Sequence, residues 1–123
     1  MPSKVMIVDD SPILRRSIRN ALGHLNVPAE EICEAANGLE ALERVIDDTI
    51  RLILLDLNMP VMDGEEFLRE LRTQHAELDI PVILVTTEKN AGRLMRLGSL
   101  GVSGYLNKPF TPEDLIALIE EGL

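Results

Sequence analysis

The chain of 123 residues has the length of one ordinary domain, and 46% of its residues are hydrophobic, enough for a core without disulfides or metals. A net charge of −9 and an aromatic content of 2% argue against direct binding of nucleic acid or of an anionic membrane. No apolar run approaches the roughly 20 residues of a membrane span, the N-terminus lacks the pattern of a secretory signal, and Cys33 has no second cysteine to pair with. We therefore expect a cytoplasmic protein without membrane insertion.

The first third of the chain alternates between strand and helix patterns. Residues 5–8 form an apolar run typical of a buried strand, and Ser11 before a proline marks the start of a helix. A poorer strand is predicted at residues 31–35, after which Asn37 and Glu40 form a capping-box pattern that opens a second helix. The positions expected to face the core are Leu14, Ile18, Leu22 and Leu25 in the first helix and Leu39, Leu42, Val45 and Ile46 in the second.

A third strand is predicted at residues 52–55, which are apolar throughout and therefore expected to be covered on both faces of a sheet. The following loop is punctuated by Pro60 and Gly64. Asp63 with Glu66 three residues later predicts a capping box at the start of a third helix.

The same alternation continues to the end of the chain. Residues 80–85 predict a fourth strand, residues 90–97 a helix that Gly92 weakens, and residues 104–106 a short fifth strand. Thr111 caps the last predicted helix. Five strand–helix units predict an α/β fold with a parallel sheet and helices on both faces.

We find no repeat, low-complexity tract or linker that would divide the sequence, so residues 1–123 are expected to form one domain. Leu123 follows the last predicted helix directly, and we expect no output domain after it.

Polar side chains follow four of the five predicted strands. Asp9 and Asp10 follow the first, Asp56 the third, Thr86 the fourth and Lys108 the fifth. In an open parallel sheet, ligands bind beyond the carboxyl ends of the strands. A cluster of carboxylates suits a hard cation such as Mg²⁺, and a carboxylate beside Mg²⁺ and a lysine suits phosphoryl transfer to an aspartate.

Each of these residues also has an ordinary structural explanation. An aspartate after a strand is often a turn residue or a helix cap, which for Asp9 alone is about as favoured as a ligand role. Lys108 is about equally compatible with a solvated loop, and Thr86 also fits as a β-forming residue that ends a strand. A tyrosine in a strand, such as Tyr105, is more often a core residue than a switch. Their conjunction, in order and at strand ends, is what favours a site.

Four segments carry a resemblance to a known family: "VDDS" at 8–11, "LLDLNMPVMDG" at 54–64, "PVILVTTE" at 81–88 and "GYLNKPF" at 104–110. Over nearly its whole length the chain resembles the receiver domain of two-component response regulators, with its nearest likeness to the single-domain, CheY-like members. The resemblance implies a flavodoxin-like (βα)5 doubly wound fold with five parallel strands in the order 2-1-3-4-5.

The resemblance also implies the roles of the acidic residues. Asp56 corresponds to the phospho-acceptor, and Asp9 and Asp10 to the acidic pair, with Asp10 the more direct ligand of Mg²⁺. Asp56 and the backbone carbonyl of Asn58 complete the expected metal ligands, and no cofactor beyond Mg²⁺ is implied.

Other positions correspond to the charge partner and the switch. Lys108 matches the lysine that pairs with the phosphate, and its bond to the following proline is expected to be cis. Thr86 matches the switch hydroxyl and Tyr105 the switch aromatic. Asn58 and Glu88 stand at the two variable positions that tune the lifetime of the phosphoryl group.

Three features depart from the family pattern. Thr87 replaces the small alanine often found after the switch threonine, which narrows access to the site slightly. Leu57 stands where CheY-like members carry an aromatic residue. The segment 90–101 is basic and rich in glycine and belongs to the usual output face, which leaves the choice of partner open.

The function implied is a phosphorylation-activated signalling domain, with self-phosphotransfer and autodephosphorylation but no classical enzyme activity. The expected partners are a CheA-like sensor histidine kinase or a small phosphodonor, a target such as a flagellar motor switch protein, and in addition a phosphatase. The protein is expected to be a monomer that acts in chemotaxis. A phosphorelay intermediate, or a receiver fragment of a larger regulator, is the alternative.

Two rivals from other classes carry less weight. A phosphatase of the haloacid-dehalogenase type requires an acid two residues after its nucleophile, and this chain has Asn58 there and no room for a cap domain. A pseudo-receiver that docks without phosphorylation would be free to lose its acids, yet Asp9, Asp10 and Asp56 are all present.

Overall fold

The computed structural model describes residues 3–122, so Met1, Pro2 and Leu123, which the expected domain includes, lie outside the described part of the chain. The sheet has five parallel strands in the order β2-β1-β3-β4-β5, as predicted. The strands are β1 (Lys4–Val8), β2 (Ile32–Ala35), β3 (Ile50–Leu55), β4 (Val82–Thr86) and β5 (Gly104–Asn107). The helices are α1 (Pro12–Gly23), α2 (Gly38–Asp47), α3 (Gly64–Gln74), α4 (Ala91–Gly98) and α5 (Pro112–Gly122).

The helices begin where the capping residues predict. The side chains of Ser11, Asn37, Asp63 and Asn90 each accept the backbone N–H three residues later, which satisfies a donor that the helix itself leaves free. The capping box of α3 is reciprocal. That of α2 is not, because Glu40 accepts the N–H of the residue before the cap instead. No helix within residues 3–122 is long and apolar enough to cross a membrane.

The sheet separates two apolar layers. Side chains of β1 alternate between them: Met6 and Val8 face α2 and α3, whereas Val5 and Ile7 face α1 and α5. Residues 52–55 of β3 are buried on both faces, which confirms the prediction made for that run. The layer with α2 and α3 centres on Phe67, Leu68 and Leu71, and the other on Ile18, Leu22 and Leu115.

The predicted core face of α2 was partly wrong. Leu39 and Ile46 are 46% and 64% exposed, whereas Ala41 and Val45 are buried. The helix turns its small residues inward because its first turn lies against the β3–α3 loop, where a side chain on Gly38 would meet Met62 at 2.7 Å.

Several predicted strand boundaries were also shifted by one or two residues, and β3, for example, begins at Ile50 rather than at residue 52. The strand expected at residues 80–85 is β4, which begins at Val82, because Pro81 has no N–H to donate to a neighbouring strand. Glu31 lies in the short 3₁₀ helix Ala29–Glu31 that precedes β2 rather than in the strand itself. The predicted helix at residues 90–97 is confirmed as α4, despite Gly92.

Candidate functional site

Three acidic residues meet at the carboxyl edge of the central strands. Asp9 follows β1 and Asp56 follows β3, and the N–H of Asp56 donates to the carbonyl of Val8 at 2.9 Å, which holds the two strand ends side by side. Asp9, Asp10 and Asp56 each offer a carboxylate oxygen, and these three atoms lie within 4.8 Å of one another. The structure therefore brings together the acidic residues that the sequence places at strand ends.

Two of these carboxylates are buried. Asp9 is 2% exposed and Asp56 5%, whereas Asp10 lies on the solvent side of the cluster. Burial and the neighbouring charge of Asp9 raise the pKa of Asp56 above its usual value, and Lys108 opposes this only in part. The edge thus holds more negative charge than its own cation balances, as expected of a site for a further cation.

Lys108 is shared between the two buried acids. Its Nζ lies 2.9 Å from Oδ2 of Asp9 and 3.3 Å from Oδ1 of Asp56. The backbone bond between Lys108 and Pro109 is cis, as the resemblance implied. Oδ1 of Asp9 accepts the N–H of Ser11 at 2.9 Å, so both oxygens of Asp9 have donors in this structure.

The donor set suits Mg²⁺. All three groups of the cluster are carboxylates, without the histidine or cysteine that zinc prefers. Asp10, the exposed member, is the one that an incoming hydrated cation can reach without first displacing Lys108. Asn58 is exposed in the loop two residues beyond Asp56, and the metal role of its carbonyl stays a prediction.

Gly64 contributes to this site in a way that the sequence did not reveal. A Cβ atom at Gly64 would lie 2.2 Å from the carbonyl oxygen of Asp56 and 2.9 Å from the Cα of Leu57. The N–H of Gly64 donates to the carbonyl of Leu57 at 2.9 Å. From the sequence Gly64 was predicted only to interrupt the loop. In the structure its lack of a side chain allows α3 to start directly against the backbone of Asp56. The one available signal was a glycine in the first turn, immediately after the cap Asp63.

Thr86 ends β4 with its side chain 1% exposed. Its hydroxyl accepts the N–H of Glu88 at 3.0 Å, and its carbonyl accepts the N–H of Lys108 at 2.9 Å. Thr86 thus lies between the lysine of the site and the loop that leads to α4. The carboxylate of Glu88 is paired with Arg93 of α4 at 3.3 Å.

Tyr105 lies on β5, one strand away from Thr86, and is 43% exposed. Its hydroxyl donates to the carbonyl of Leu94 on α4 at 3.2 Å. The ring therefore occupies an outward position against α4, and a Cβ atom at Gly98 would lie 2.8 Å from its hydroxyl. The sequence favoured a core position for a lone strand tyrosine, and the structure places this one at the surface.

A second residue that the sequence did not single out is Arg15 of α1. Its Nη1 donates to the carbonyl oxygen of Asp9 at 2.5 Å, and its Nε donates to Oε1 of Glu34 at 2.7 Å. No sequence pattern pairs residues that are 19 positions apart on a helix and on a neighbouring strand.

Comparison with known proteins agrees with this geometry. The family model of the response regulator receiver domain matches residues 5–120. A chemotaxis protein CheY homolog of Campylobacter jejuni is 35% identical over 121 residues, which cover 98% of this chain and 92% of that protein. CheY1 of Helicobacter pylori is 35% identical over 118 residues, which cover 95% and 94% of the two chains.

Solved structures give the same picture. The chemotaxis response regulator CheY4 of Vibrio cholerae superimposes with a TM-score of 0.87 at 33% identity, over 100% of both chains. A CheY-like receiver domain protein of Methanospirillum hungatei gives 0.85 at 26% identity, over 98% of this chain and 93% of that one. The CheY of a CheX–CheY–BeF₃–Mg²⁺ complex from Borrelia burgdorferi gives 0.83 at 21% identity, over 98% and 89%, and this likeness concerns the fold alone.

Proposed function

The chain belongs to the family of response regulator receiver domains, and from that membership we propose that Asp56 accepts a phosphoryl group in a reaction that requires Mg²⁺. The observation that carries the proposal is the pair of buried carboxylates, Asp9 and Asp56, sharing the single ammonium of Lys108 beside exposed Asp10. We propose that residues 1–123 act as one receiver domain, a signalling domain that also catalyses its own phosphotransfer and autodephosphorylation.

Each residue of the edge has a distinct part in the transfer. Asp9, Asp10, Asp56 and the carbonyl of Asn58 would hold Mg²⁺, which when bound would supply positive charge against the phosphoryl oxygens. A carboxylate oxygen of Asp56 forms the new bond to phosphorus as the bond to the donor breaks, and a histidine donor leaves as imidazole. Lys108, already 3.3 Å from Oδ1 of Asp56, pairs with the phosphoryl group that results.

The phosphoryl group is expected to act on the rest of the molecule through Thr86. Its hydroxyl can leave the N–H of Glu88 and donate to a phosphoryl oxygen, and the space vacated beside β5 lets the ring of Tyr105 turn inward. The face formed by α4, β5 and α5 would change with it and bind the target. Asn58 and Glu88, at the rim of the site, would set how long the phosphoryl group persists.

A mass measurement tests the proposal directly. Wild-type protein incubated with acetyl phosphate or phosphoramidate and Mg²⁺ should gain the mass of one phosphoryl group, and Asp56→Asn should gain none. Asp63→Asn is the matched control, because asparagine is as good a helix cap as aspartate and the residue lies outside the carboxylate cluster. Equal phosphoryl mass on wild type and Asp56→Asn would refute the assignment.

For the pathway, we propose chemotaxis, with a CheA-like sensor histidine kinase as donor and a flagellar motor switch protein as target. The support is that the relatives at 35% identity are chemotaxis proteins matched over nearly their whole length. The protein would act as a cytoplasmic monomer, and a phosphatase would be a further partner. A phosphorelay intermediate, or a receiver that is part of a larger regulator, is the second candidate.

Phosphoryl transfer onward distinguishes a chemotaxis regulator from a phosphorelay intermediate. A relay intermediate should pass the group from Asp56 to a histidine phosphotransfer domain, whereas a chemotaxis regulator should retain it until hydrolysis and bind a motor switch peptide more tightly when phosphorylated. Radiolabelled protein followed over time against both probes would show which pathway applies.

A further inference from the structure

The β1–α1 loop, which carries Asp9 and Asp10, is hydrogen-bonded to an arginine of α1, Arg15. Three arginines lie on α1, and they differ in environment. The side chain of Arg15 is 17% exposed and donates Nη1 to the carbonyl oxygen of Asp9, whereas Arg16 next to it is exposed. The carbonyl of Asp9 belongs to the planar peptide that joins the two acidic residues, so fixing that oxygen limits the directions in which both side chains can leave the backbone.

Arg15 is itself braced by Glu34 of β2. Its Nε donates to Oε1 of Glu34 at 2.7 Å, and Arg19 binds the other oxygen through Nε and Nη2 at 3.0 and 2.6 Å. Partial burial acts to raise the pKa of Glu34, but the hydrogen bonds and charges of Arg19 and Arg15 outweigh it and lower the pKa. Glu34 therefore stays ionised at neutral pH, and two arginines on one helix are fixed to one carboxylate on the sheet.

We propose that Arg15, braced by Glu34, is a positioning residue for the Mg²⁺ site: it orients the peptide between Asp9 and Asp10 so that their carboxylates converge. The inference rests on the proposed Mg²⁺-dependent phospho-acceptor function. It assigns no contact between Arg15 and the metal or the phosphoryl group, since the side-chain hydrogen bonds of Arg15 are to the carbonyl of Asp9 and to Glu34.

The direction in which Mg²⁺ affinity changes when Arg15 is removed distinguishes a positioning role from a purely electrostatic one. A guanidinium near a cation site repels the cation, so if charge alone mattered, removing Arg15 would strengthen Mg²⁺ binding. If Arg15 orients the loop, removing it weakens binding, because the carboxylates then have to be ordered when the metal binds.

Mg²⁺ titrations followed by NMR of the full chain, without phosphodonor, test this sign. Arg15→Met should raise the dissociation constant for Mg²⁺ by about tenfold, the usual size for loss of a group that orients metal ligands. Glu34→Ala should raise it severalfold, and the double variant should be no worse than Arg15→Met alone. Arg16→Met, which removes the same charge from an exposed neighbouring position, should bind Mg²⁺ as tightly as wild type or slightly more tightly.

A second measurement requires no metal. The N–H of Ser11 donates to Oδ1 of Asp9, so its hydrogen exchange in metal-free protein reports how well the loop is ordered. It should exchange severalfold faster in Arg15→Met and at the wild-type rate in Arg16→Met. Because methionine at this position could destabilise the domain, Arg15→Lys provides a milder variant, and its dissociation constant should lie between those of wild type and Arg15→Met.

The two levels of failure are distinguishable. A wild-type protein without any response to Mg²⁺ would overturn the proposed function and this inference together. Wild-type binding combined with unchanged or tighter binding in both Arg15→Met and Arg15→Lys, or an unchanged exchange rate of the Ser11 amide, would overturn the role of Arg15 alone.

Discussion

Charged side chains are balanced in opposite ways at the two edges of the sheet. At the amino edge, the guanidinium of Arg72 donates to three backbone carbonyls, those of Leu100, Ile80 and Gly101, at 2.8–2.9 Å. These carbonyls lie in the segments that precede β4 and β5, so one side chain of α3 is hydrogen-bonded to both segments. At the carboxyl edge, two buried carboxylates share one lysine.

The difference separates stability from function in this fold. A half-buried guanidinium that donates to several backbone carbonyls stabilises the segments it joins, whereas buried carboxylates that outnumber the cation beside them cost stability and are retained where they bind or react. The amino edge is expected to respond to mutation mainly through the free energy of unfolding. The carboxyl edge is expected to respond through ligand affinity, and removal of a carboxylate charge at Asp10 or Asp56 should stabilise the metal-free protein.

The largest expected effect lies at the amino edge. Arg72→Met should lower the free energy of unfolding by about 3 kcal/mol, because three backbone carbonyls, two of them in part-buried contacts, lose a charged donor at once. Urea denaturation measures this, and phosphoryl incorporation at Asp56 should be unchanged under conditions where the variant is folded. Arg69→Met is the control on the same helix: its ion pair with Glu65 is exposed, and its loss should cost less than about 0.5 kcal/mol. Equal losses in the two variants would contradict this account of the amino edge.

The next effect belongs to the carboxyl edge. Asp10→Ala should weaken Mg²⁺ binding by more than about tenfold, because one of few protein ligands is removed. The same variant should be slightly more stable than wild type without metal, since repulsion with Asp9 and Asp56 is relieved. NMR titration and urea denaturation give the two values, with the exposed Asp47→Ala as a control for loss of charge alone. An unchanged Mg²⁺ titration would remove Asp10 from the ligand set.

A pH series sharpens the comparison further. The pKa of Asp56 is raised in the folded state, by burial first and by Asp9 second, so protonation favours folding. The ionised carboxylate of Asp56 therefore lowers the free energy of unfolding at neutral pH. This penalty decreases as the pH falls through the folded-state pKa and the carboxylate becomes protonated. Asp56→Asn, a neutral isostere, should be more stable than metal-free wild type at pH 7, and the difference should shrink on acidification.

Glu65 should show the opposite trend. Hydrogen bonds from Arg96 and Arg93 lower its pKa in the folded state, so its contribution to stability is present at neutral pH and is lost as the pH falls through that pKa. Glu65→Gln should thus be less stable than wild type at pH 7, with a deficit that disappears in acid. Parallel slopes for the Asp56 and Glu65 variants would mean that the two carboxylates are not in different electrostatic environments.

The features of this molecule that can be predicted from the sequence are those that depend on residues close together in the chain. The apolar runs, the caps such as Ser11 and Asp63, and the strand-end acids each depend on a few neighbouring residues, and the structure brings them together as expected. The hydrogen bond between Arg15 and Glu34 could not be predicted in this way, because the two residues come together only when α1 packs beside β2.

Features that depend on residues distant in sequence were either missed or wrongly predicted. The three acceptors of Arg72 are backbone carbonyls, which carry no sequence signal at all. Leu39 and Ile46 fit an apolar stripe, but the close packing of Gly38 on the β3–α3 loop rotates α2 and leaves them exposed. Gly64 resembles any loop glycine until the carbonyl of Asp56 is placed beside it.

The smallest expected effect on stability tests whether the carboxyl edge communicates with the surface. Thr86→Ala removes one acceptor, that of the Glu88 N–H, and should cost about 1 kcal/mol or less. Phosphoryl incorporation at Asp56 should persist, since neither the carboxylates nor Lys108 depend on this hydroxyl for their contacts.

What Thr86→Ala should lose is coupling. In the structure Tyr105 is turned outward and bonded to the carbonyl of Leu94, a contact that has to break before the ring turns inward. A phosphoryl group can shift this equilibrium only by interacting differently with the two states, and the hydroxyl of Thr86 is the group that would supply that difference. Chemical shifts near Tyr105 and residues 90–97 should therefore respond to a beryllofluoride mimic in wild type and much less in Thr86→Ala. An equal response in both proteins would mean that the signal leaves the site by another route, and Thr86 would then be a structural strand end only.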